Sequence, residues 1–217
     1  MSQANAEPAL PPAAPPAVLA EQFAKGEALP TPFRVRSAQP KDLLAIVHVL
    51  LASFYTPILT IQPPAQWLYW LMRIGIQEDI KTRLKLPVSQ YACLVATQVH
   101  PDSALAGAVI GTAEISQRPC ERWQLFPPKR AYLSNLAIKP EYRRQGAAQQ
   151  LLKTCDSIAL GWGFHRIYLH VMADNLAAQA LYAQAGYELY EVSNPVLSGL
   201  RIRPQRLLLM KQIDPSR

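Results

Sequence analysis

From residue 33 onward, the sequence alternates between the two hydrophobic periods that distinguish strands from helices. Apolar and polar residues alternate over residues 33–36, whereas apolar residues recur at helical spacing over residues 43–54. Pro40 is suited to open that helix, because proline lacks the N–H group that a first helical turn leaves unpaired. Because the two periods interleave along the chain, we predict an α/β or α+β fold with one mixed sheet.

The same reasoning places the remaining elements. Four helices are predicted, at residues 40–54, 65–84, 147–162 and 176–185. Strands are predicted at residues 33–36, 91–97, 106–115, 131–138, 166–172, 187–192 and 206–213. In the second helix, Trp67, Tyr69 and Trp70 are expected to pack in the core.

Residues 1–32 differ in composition from the rest of the chain. They are rich in proline and alanine, which predicts a disordered tail before a single folded domain at residues 33–217. The tail lacks the basic-then-apolar order of a secretory signal, and it has no arginine before Arg34. No apolar run is long enough to cross a bilayer. We therefore expect a cytoplasmic protein without membrane association.

Charge and cysteine content limit the possible ligands. The formal charge is +7, and residues 1–33 contain one lysine and three glutamates, so the rest carries roughly +9. A basic domain suits an anionic ligand, although ordinary surface charge explains it equally well. No helix-turn-helix, zinc-finger or RNP-like motif indicates nucleic acid. Cys93, Cys120 and Cys155 are scattered, which predicts reduced thiols and no metal site.

The most informative segment is the polar turn between a predicted strand and the helix at residues 147–162. It contains Arg143, Arg144 and Gly146, followed by Ala147 and Ala148. The first turn of a helix has unpaired N–H groups and the positive end of the helix dipole, and small residues allow an anion to approach them. With two arginines as cationic donors, this turn suits a diphosphate.

The spacing Arg143-x-x-Gly146-x-Ala148 resembles the Arg/Gln-x-x-Gly-x-Gly/Ala motif of the GCN5-related N-acetyltransferases, which binds the pyrophosphate of coenzyme A. Ala148 departs from the commoner glycine. Residues 133–140 resemble the family's fourth strand, and residues 174–187 resemble its Asn…Ala…Leu-Tyr…Gly-Phe segment. The resemblance covers roughly residues 33–213 and is strongest over about 130–190.

This resemblance implies a single domain with a mixed, mostly antiparallel sheet of six to seven strands flanked by about four helices. It implies that strands four and five splay apart, that acetyl-CoA enters the gap as co-substrate, and that its pantetheine arm pairs with backbone near Leu136 and Ile138. The implied cofactor-binding residues are Leu136, Ala137, Ile138, Arg143, Arg144, Gln145, Gly146, Ala147, Ala148, Asn175 and Tyr182. Asn175 is also a favourable N-cap, and both roles are compatible.

The resemblance places Tyr182 near the cofactor sulfur, where it would protonate or stabilise the departing thiolate; a core tyrosine is the alternative. A general base is harder to assign. His170 lies where related enzymes often carry glutamate, and histidine titrates in a useful range. Glu114 is a second candidate, and a water relay would leave no mark in the sequence. Cys155 lies on an apolar helix stripe, so packing is expected rather than nucleophilic catalysis.

The resemblance implies direct acetyl transfer to a primary amine, with a protein N-terminal α-amine or a lysine ε-amine as the first expectation. A small-molecule amine acetyltransferase and a non-catalytic acyl-CoA sensor are the alternatives. The protein is expected to be a monomer or a homodimer. The walls of the acceptor site are expected to come from the first two helices and from the loop from residue 194 to 205. That loop contains Arg201 and Arg203 and is followed by Arg206.

Overall fold

The structure is a computed structural model that describes residues 33–54, 65–99, 107–119, 128–193 and 205–214. All of these residues belong to one compact unit, Phe33–Arg217. The predictions for residues 1–32, for Cys120, and for the loop that contains Arg201 and Arg203 lie outside the described residues.

Regular structure follows the predicted order closely. The helices are α1 (Leu43–Phe54, preceded by a 3-10 turn at Pro40–Asp42), α2 (Ala65–Arg83), α3 (Ala147–Gly161) and α4 (Leu176–Gln184). The strands are β1 (Phe33–Ser37), β2 (Tyr91–Gln98), β3 (Val109–Pro119), β4 (Lys129–Ile138), β5 (Arg166–Met172), β6 (Glu188–Ser193) and β7 (Arg206–Gln212). Most bounds lie within three residues of the predicted ones, because each element carries a clear hydrophobic period. The exception is the end of β3, which lies four residues further along the chain than predicted.

The strands form one seven-stranded sheet in the order β1-β2-β3-β4-β5-β7-β6. Every neighbouring pair is antiparallel except β4 and β5, which are parallel. This parallel pair is joined only at Ala131–Ile167 and Tyr132–Tyr168, after which the two strands part. The predicted fold class and the predicted gap between strands four and five are confirmed.

Helices cover both faces of this sheet. On one face, α3 packs against β3, β4 and β5 through a core that includes Leu151, Leu152 and the fully buried Cys155. On the other face, α1 and α2 pack over β2 and β3 through Val47, Leu50 and their neighbours. Burial raises the pKa of the Cys155 thiol, which fits the predicted packing role.

The prediction that Trp67 and Trp70 lie in the core is wrong. Their exposed fractions are 65% and 56%, and Leu71 and Ile74 are exposed as well. The stripe that α2 turns toward the sheet consists instead of Tyr69, Met72, Ile76 and Ile80. Both stripes have helical spacing, so periodicity alone does not determine which one packs against α1. None of the helices in the described residues is long and apolar enough to cross a membrane.

Candidate active site

The turn before α3 has the backbone geometry of an open anion site. Gly146 is the N-cap of α3 with φ of 89°, a left-handed conformation that glycine adopts without strain. Among the described residues, no side chain caps this helix, and a Cβ built on Gly146 would meet nothing within 4 Å. The first-turn amides therefore lack a side-chain acceptor and lie open to an anion from outside the chain.

The N-terminus of α4 is different. The Asn175 side-chain oxygen accepts a hydrogen bond from the Ala178 N–H group at 3.1 Å. The predicted capping role of Asn175 is therefore confirmed. Because α4 supplies its own acceptor and α3 does not, the α3 terminus is the better anion site of the two.

Two exposed arginines precede Gly146. Arg143 donates from Nε to the Ile138 carbonyl oxygen at 3.1 Å, which fixes the base of its guanidinium beside the end of β4. Arg144 has φ of 62° at the tip of the turn. Within the described part of the chain, neither arginine forms an ion pair, so both charges are available to an anionic ligand.

The free edge of β4 faces the gap left by β5. The Lys139 N–H group donates to Ile110 on β3, so the neighbouring Ile138 points the opposite way, where Arg143 and Ser53 donate to its carbonyl. Backbone groups alternate along a strand, so Leu136, two residues earlier, also presents its N–H and C=O to the gap. The Ile138 carbonyl is already engaged by these two side chains, so Leu136 supplies the backbone groups that best fit the predicted pairing with an extended ligand.

One cavity of about 560 Å³ joins these features. Nearly all of the predicted cofactor-binding residues line it: Leu136, Ala137, Ile138, Arg143, Arg144, Gly146, Ala147, Ala148, Asn175 and Tyr182. Gln145 does not, because its side-chain amide turns back to donate to the Glu141 carbonyl. The sequence analysis missed Ser53 and Phe54, which also line the cavity. Phe54 belongs to the predicted apolar stripe of α1 but is 50% exposed, because it lies at the cavity instead of in the core.

Tyr182 brings a phenol to this cavity. Its side chain is 8% exposed, and its ring packs edge-to-face on Tyr187 with centroids 5.7 Å apart. Burial raises the pKa of Tyr182 to about 12, so the hydroxyl stays protonated at neutral pH. No described residue forms a hydrogen bond with this hydroxyl, which leaves it free to donate to a ligand.

His170 lies outside the cavity lining, on β5. Its Nδ1 is 2.6 Å from the Tyr132 hydroxyl oxygen. Burial lowers the pKa of His170 to about 4, with further lowering by Arg206, Arg130 and Arg118. The imidazole is therefore neutral at pH 7 and a weak base, since taking a proton from an amine of pKa ~8 would cost on the order of 5 kcal/mol.

Glu114 also lies outside the cavity lining, and both of its carboxylate oxygens are engaged. One accepts from Arg83 of α2 at 2.9 Å and the other from the Asn135 side chain at 2.8 Å. Asn135 has φ of 52° at the point where the pairing of β3 with β4 shifts register. The fully buried Glu114 thus ties α2 to the irregular part of β4 that leads into the gap.

We predict that Glu114→Gln lowers the free energy of unfolding by about 2 kcal/mol, because it leaves the Arg83 guanidinium partly buried beside a neutral group. Urea denaturation measures the change. Asp79→Asn is the control, because Asp79 pairs with the same arginine at 2.6 Å but is exposed. That control should cost under about 0.5 kcal/mol. Equal losses in both variants would contradict a structural role for Glu114.

In the described structure, an uncapped helix terminus with two arginines outside any ion pair, a free strand edge and a protonated phenol together define a binding site for an extended molecule with an anionic end. A diphosphate fits the α3 terminus, and a flexible arm fits the strand edge. In the described residues, no three His, Cys, Asp or Glu side chains are grouped to hold a metal ion.

The chain belongs to the acetyltransferase (GNAT) family, whose sequence profile matches residues 65–187, more than half of its length. It is 35% identical over 130 residues to GCN5-related N-acetyltransferase 10, chloroplastic, of Arabidopsis thaliana, an alignment that covers 58% of this chain and 50% of that protein. It is 41% identical over 88 residues to GCN5-related N-acetyltransferase 7, chloroplastic, of the same plant, covering 40% of this chain and 32% of that one.

The chain thus spans half the length of the first of these relatives and about a third of the second. Both relatives are named as chloroplastic proteins, so they give no support to the cytoplasmic location expected from the sequence, which stays a prediction.

Solved structures show the same fold. A PaiA N-acetyltransferase from Thermoplasma acidophilum, in complex with coenzyme A, matches with a TM-score of 0.60 at 18% identity, over 83% of this chain and 98% of that one. Naa20 from Chaetomium thermophilum, in complex with a bisubstrate analogue, matches with a TM-score of 0.56 at 20% identity, over 83% and 86%. At such identities the similarity concerns the fold.

Proposed function

We propose that this protein transfers the acetyl group of acetyl-CoA directly to a primary amine, with a protein N-terminal α-amine as the favoured acceptor. The observation that carries the proposal is the single cavity that joins the uncapped α3 terminus, the free edge of β4 and the Tyr182 hydroxyl. Membership of the acetyltransferase family supports the same reaction.

Binding follows from the chain's own groups. The first-turn amides of α3, with Arg143 and Arg144, would hold the paired phosphates of the co-substrate. The backbone of Leu136 would pair with the amides of its pantetheine arm, as one strand edge pairs with another. This pairing depends on backbone groups, which explains why an apolar side chain is acceptable at Leu136.

Acetyl-CoA supplies a thioester, and attack by the amine forms the amide bond, breaks the carbon–sulfur bond and leaves the amine's proton on the sulfur. Backbone N–H groups on the free edge of β4 would stabilise the negative charge that develops on the carbonyl oxygen. Tyr182 would donate a hydrogen bond to the departing sulfur. Because the pKa of Tyr182 is about 12, full transfer of its proton to a thiolate whose thiol has a pKa of ~8.5 is uphill by about 5 kcal/mol. Donation of a hydrogen bond is therefore its main role.

The surroundings of the candidate bases favour an α-amine over lysine. His170 is neutral and weakly basic, and the oxygens of Glu114 are occupied by Arg83 and Asn135. An α-amine of pKa ~7.7–8.0 is partly neutral at pH 7, whereas a lysine near ~10.4 needs 4–5 kcal/mol to lose its proton. An acceptor that is already partly neutral requires less help from a base, and water can accept its proton.

The test combines two measurements on the full chain. Calorimetry with acetyl-CoA should show binding, and thiol release should follow when a pool of peptides with free N-termini is added. Peptides with blocked N-termini and internal lysines, and a panel of small amines, distinguish the acceptor classes. Binding without thiol release for any amine would indicate an acyl-CoA sensor, and absence of binding would refute the proposal.

A further inference from the structure

Two arginines face each other across adjacent strands on the sheet face opposite α3. Arg118 of β3 is paired directly with Arg130 of β4. Like charges at directly opposed positions destabilise a sheet. Among the described residues neither arginine forms an ion pair, and the buried Nε of Arg130 has no hydrogen-bond acceptor. Within the part of the chain that the structure describes, the pair therefore lacks the anion that would normally compensate it.

Aromatic rings hold both guanidinium groups in place. Arg118 lies over the Tyr132 ring at 4.0 Å from its centroid, and Arg130 lies 5.1 Å from the centroid of Tyr168. Stacking on a ring leaves the N–H edge of a guanidinium free for a planar anion. Burial lowers the pKa of Arg118 from its ordinary value, which is the direction expected for a cation without a counterion.

The charge on this face is positive near the arginine pair. Arg206 of β7 adds a third guanidinium, and all three act on His170, which lies between β4 and β7. Of the described acids on this face, Glu114 is already paired with Arg83. Glu188 and Glu191 lie on the edge strand β6, three strands away from β4 and thus about 14 Å distant. They are too distant to neutralise the pair.

The arginine pair lies beside the gap between β4 and β5. Tyr132 and Tyr168, the two rings under the guanidinium groups, form the last pair before those strands part. The Arg118 Nη2 reaches the Ser134 hydroxyl at 3.4 Å. Leu136, whose backbone faces the gap, lies about 7 Å further along the strand than Ser134. Two residues of an extended peptide span that distance.

We propose that the acceptor carries a carboxylate, which the Arg118–Arg130 pair binds while the amine reaches the gap. In an extended peptide this corresponds to an acidic side chain at the second or third residue after the free N-terminus. The inference rests on the proposed acetyl transfer and adds its substrate class. A carboxylate fits because its two oxygens match the N–H edges of one or two guanidinium groups.

The test compares acceptors that differ only in charge. Peptides with Glu at the second or third position should have kcat/KM values at least about tenfold higher than the same peptides with Gln. A small amine with a carboxylate and its amide counterpart form a second arm, which distinguishes a peptide acceptor from a small one. Thiol release from the Gln peptides shows whether acetyl transfer itself occurs.

Variants then assign the preference to the pair. Arg118→Gln and Arg130→Gln should each reduce the Glu-over-Gln preference by about tenfold and change kcat/KM for the Gln peptides less than about threefold. Arg118→Lys, which keeps the charge, should restore part of the preference. Lys129→Gln is the control, because it removes an exposed cation next to Arg130 that points to the other face of the sheet.

Because each Gln variant removes a like-charge contact, its melting temperature should stay the same or rise, which verifies that it is folded. Thiol release with equal kcat/KM for Glu and Gln peptides would overturn this inference and leave the proposed function intact. A preference that Lys129→Gln reduces as much as Arg118→Gln would also overturn it, because the effect would then arise from net charge. Absence of thiol release with every amine would refute the proposed function itself.

Discussion

Gly146→Asp should abolish useful binding of acetyl-CoA while leaving the protein folded. Aspartate tolerates positive φ better than most residues, and a Cβ at this position meets nothing within 4 Å. Its carboxylate would also cap α3, which stabilises the helix. The same carboxylate would occupy the first-turn amides and repel the diphosphate, so calorimetry should show a Kd at least about 100-fold higher.

Gly163→Asp is the matched control for that variant. Gly163 follows the other end of α3, has φ of 83° and likewise has nothing within 4 Å of a built Cβ. A carboxylate there lies at the negative end of the helix dipole, so stability should fall by about 1 kcal/mol with acetyl-CoA affinity unchanged. We therefore expect the first substitution to act on binding and the second to act on stability. Retention of wild-type affinity by Gly146→Asp would remove the phosphate site from this turn.

Tyr182→Phe should lower kcat by about 100-fold and change the Kd of acetyl-CoA less than about threefold. The phenol is neutral and free to donate, and the substitution removes only its hydroxyl. Because burial raises the pKa of Tyr182 to about 12, the wild-type rate should not fall between pH 8 and 10 through this group. Single-turnover acetylation of a peptide acceptor, with calorimetry for binding, measures both quantities.

Tyr187→Phe is the matched control for the hydroxyl. Tyr187 packs against Tyr182, but its own hydroxyl is buried without a hydrogen-bond partner among the described residues and does not line the cavity. Removing that group should leave turnover unchanged and leave stability equal or slightly higher. If Tyr182→Phe retained wild-type turnover, Tyr182 would be a packing residue and the sulfur would depart without a side-chain donor.

Local patterns predicted the elements of this fold well, because each one carries a period that neighbouring residues define. The α3 turn is the best case: a glycine with positive φ, small residues and arginines lie within six positions, so the site follows from adjacent residues. The N-cap role of Asn175 is equally local, since its partner Ala178 lies three residues away.

Local patterns could not predict the environment of residues whose partners are distant in the sequence. Glu114 was a candidate base from its residue type, but its environment depends on Arg83, 31 positions earlier. The low pKa of His170 depends on burial and on arginines from three other strands. Trp67 and Trp70 have the spacing of a buried stripe, yet α2 turns a different stripe inward.

By itself, the sequence determined the order of strands and helices and the anion-binding turn, because hydrophobic period and turn chemistry are properties of neighbouring residues. Only the tertiary structure decided where β4 and β5 part, that one cavity joins the turn to Tyr182, and that Arg118 lies opposite Arg130. Those features depend on strand register and helix packing, which bring together residues far apart in the chain. No local pattern contains that information.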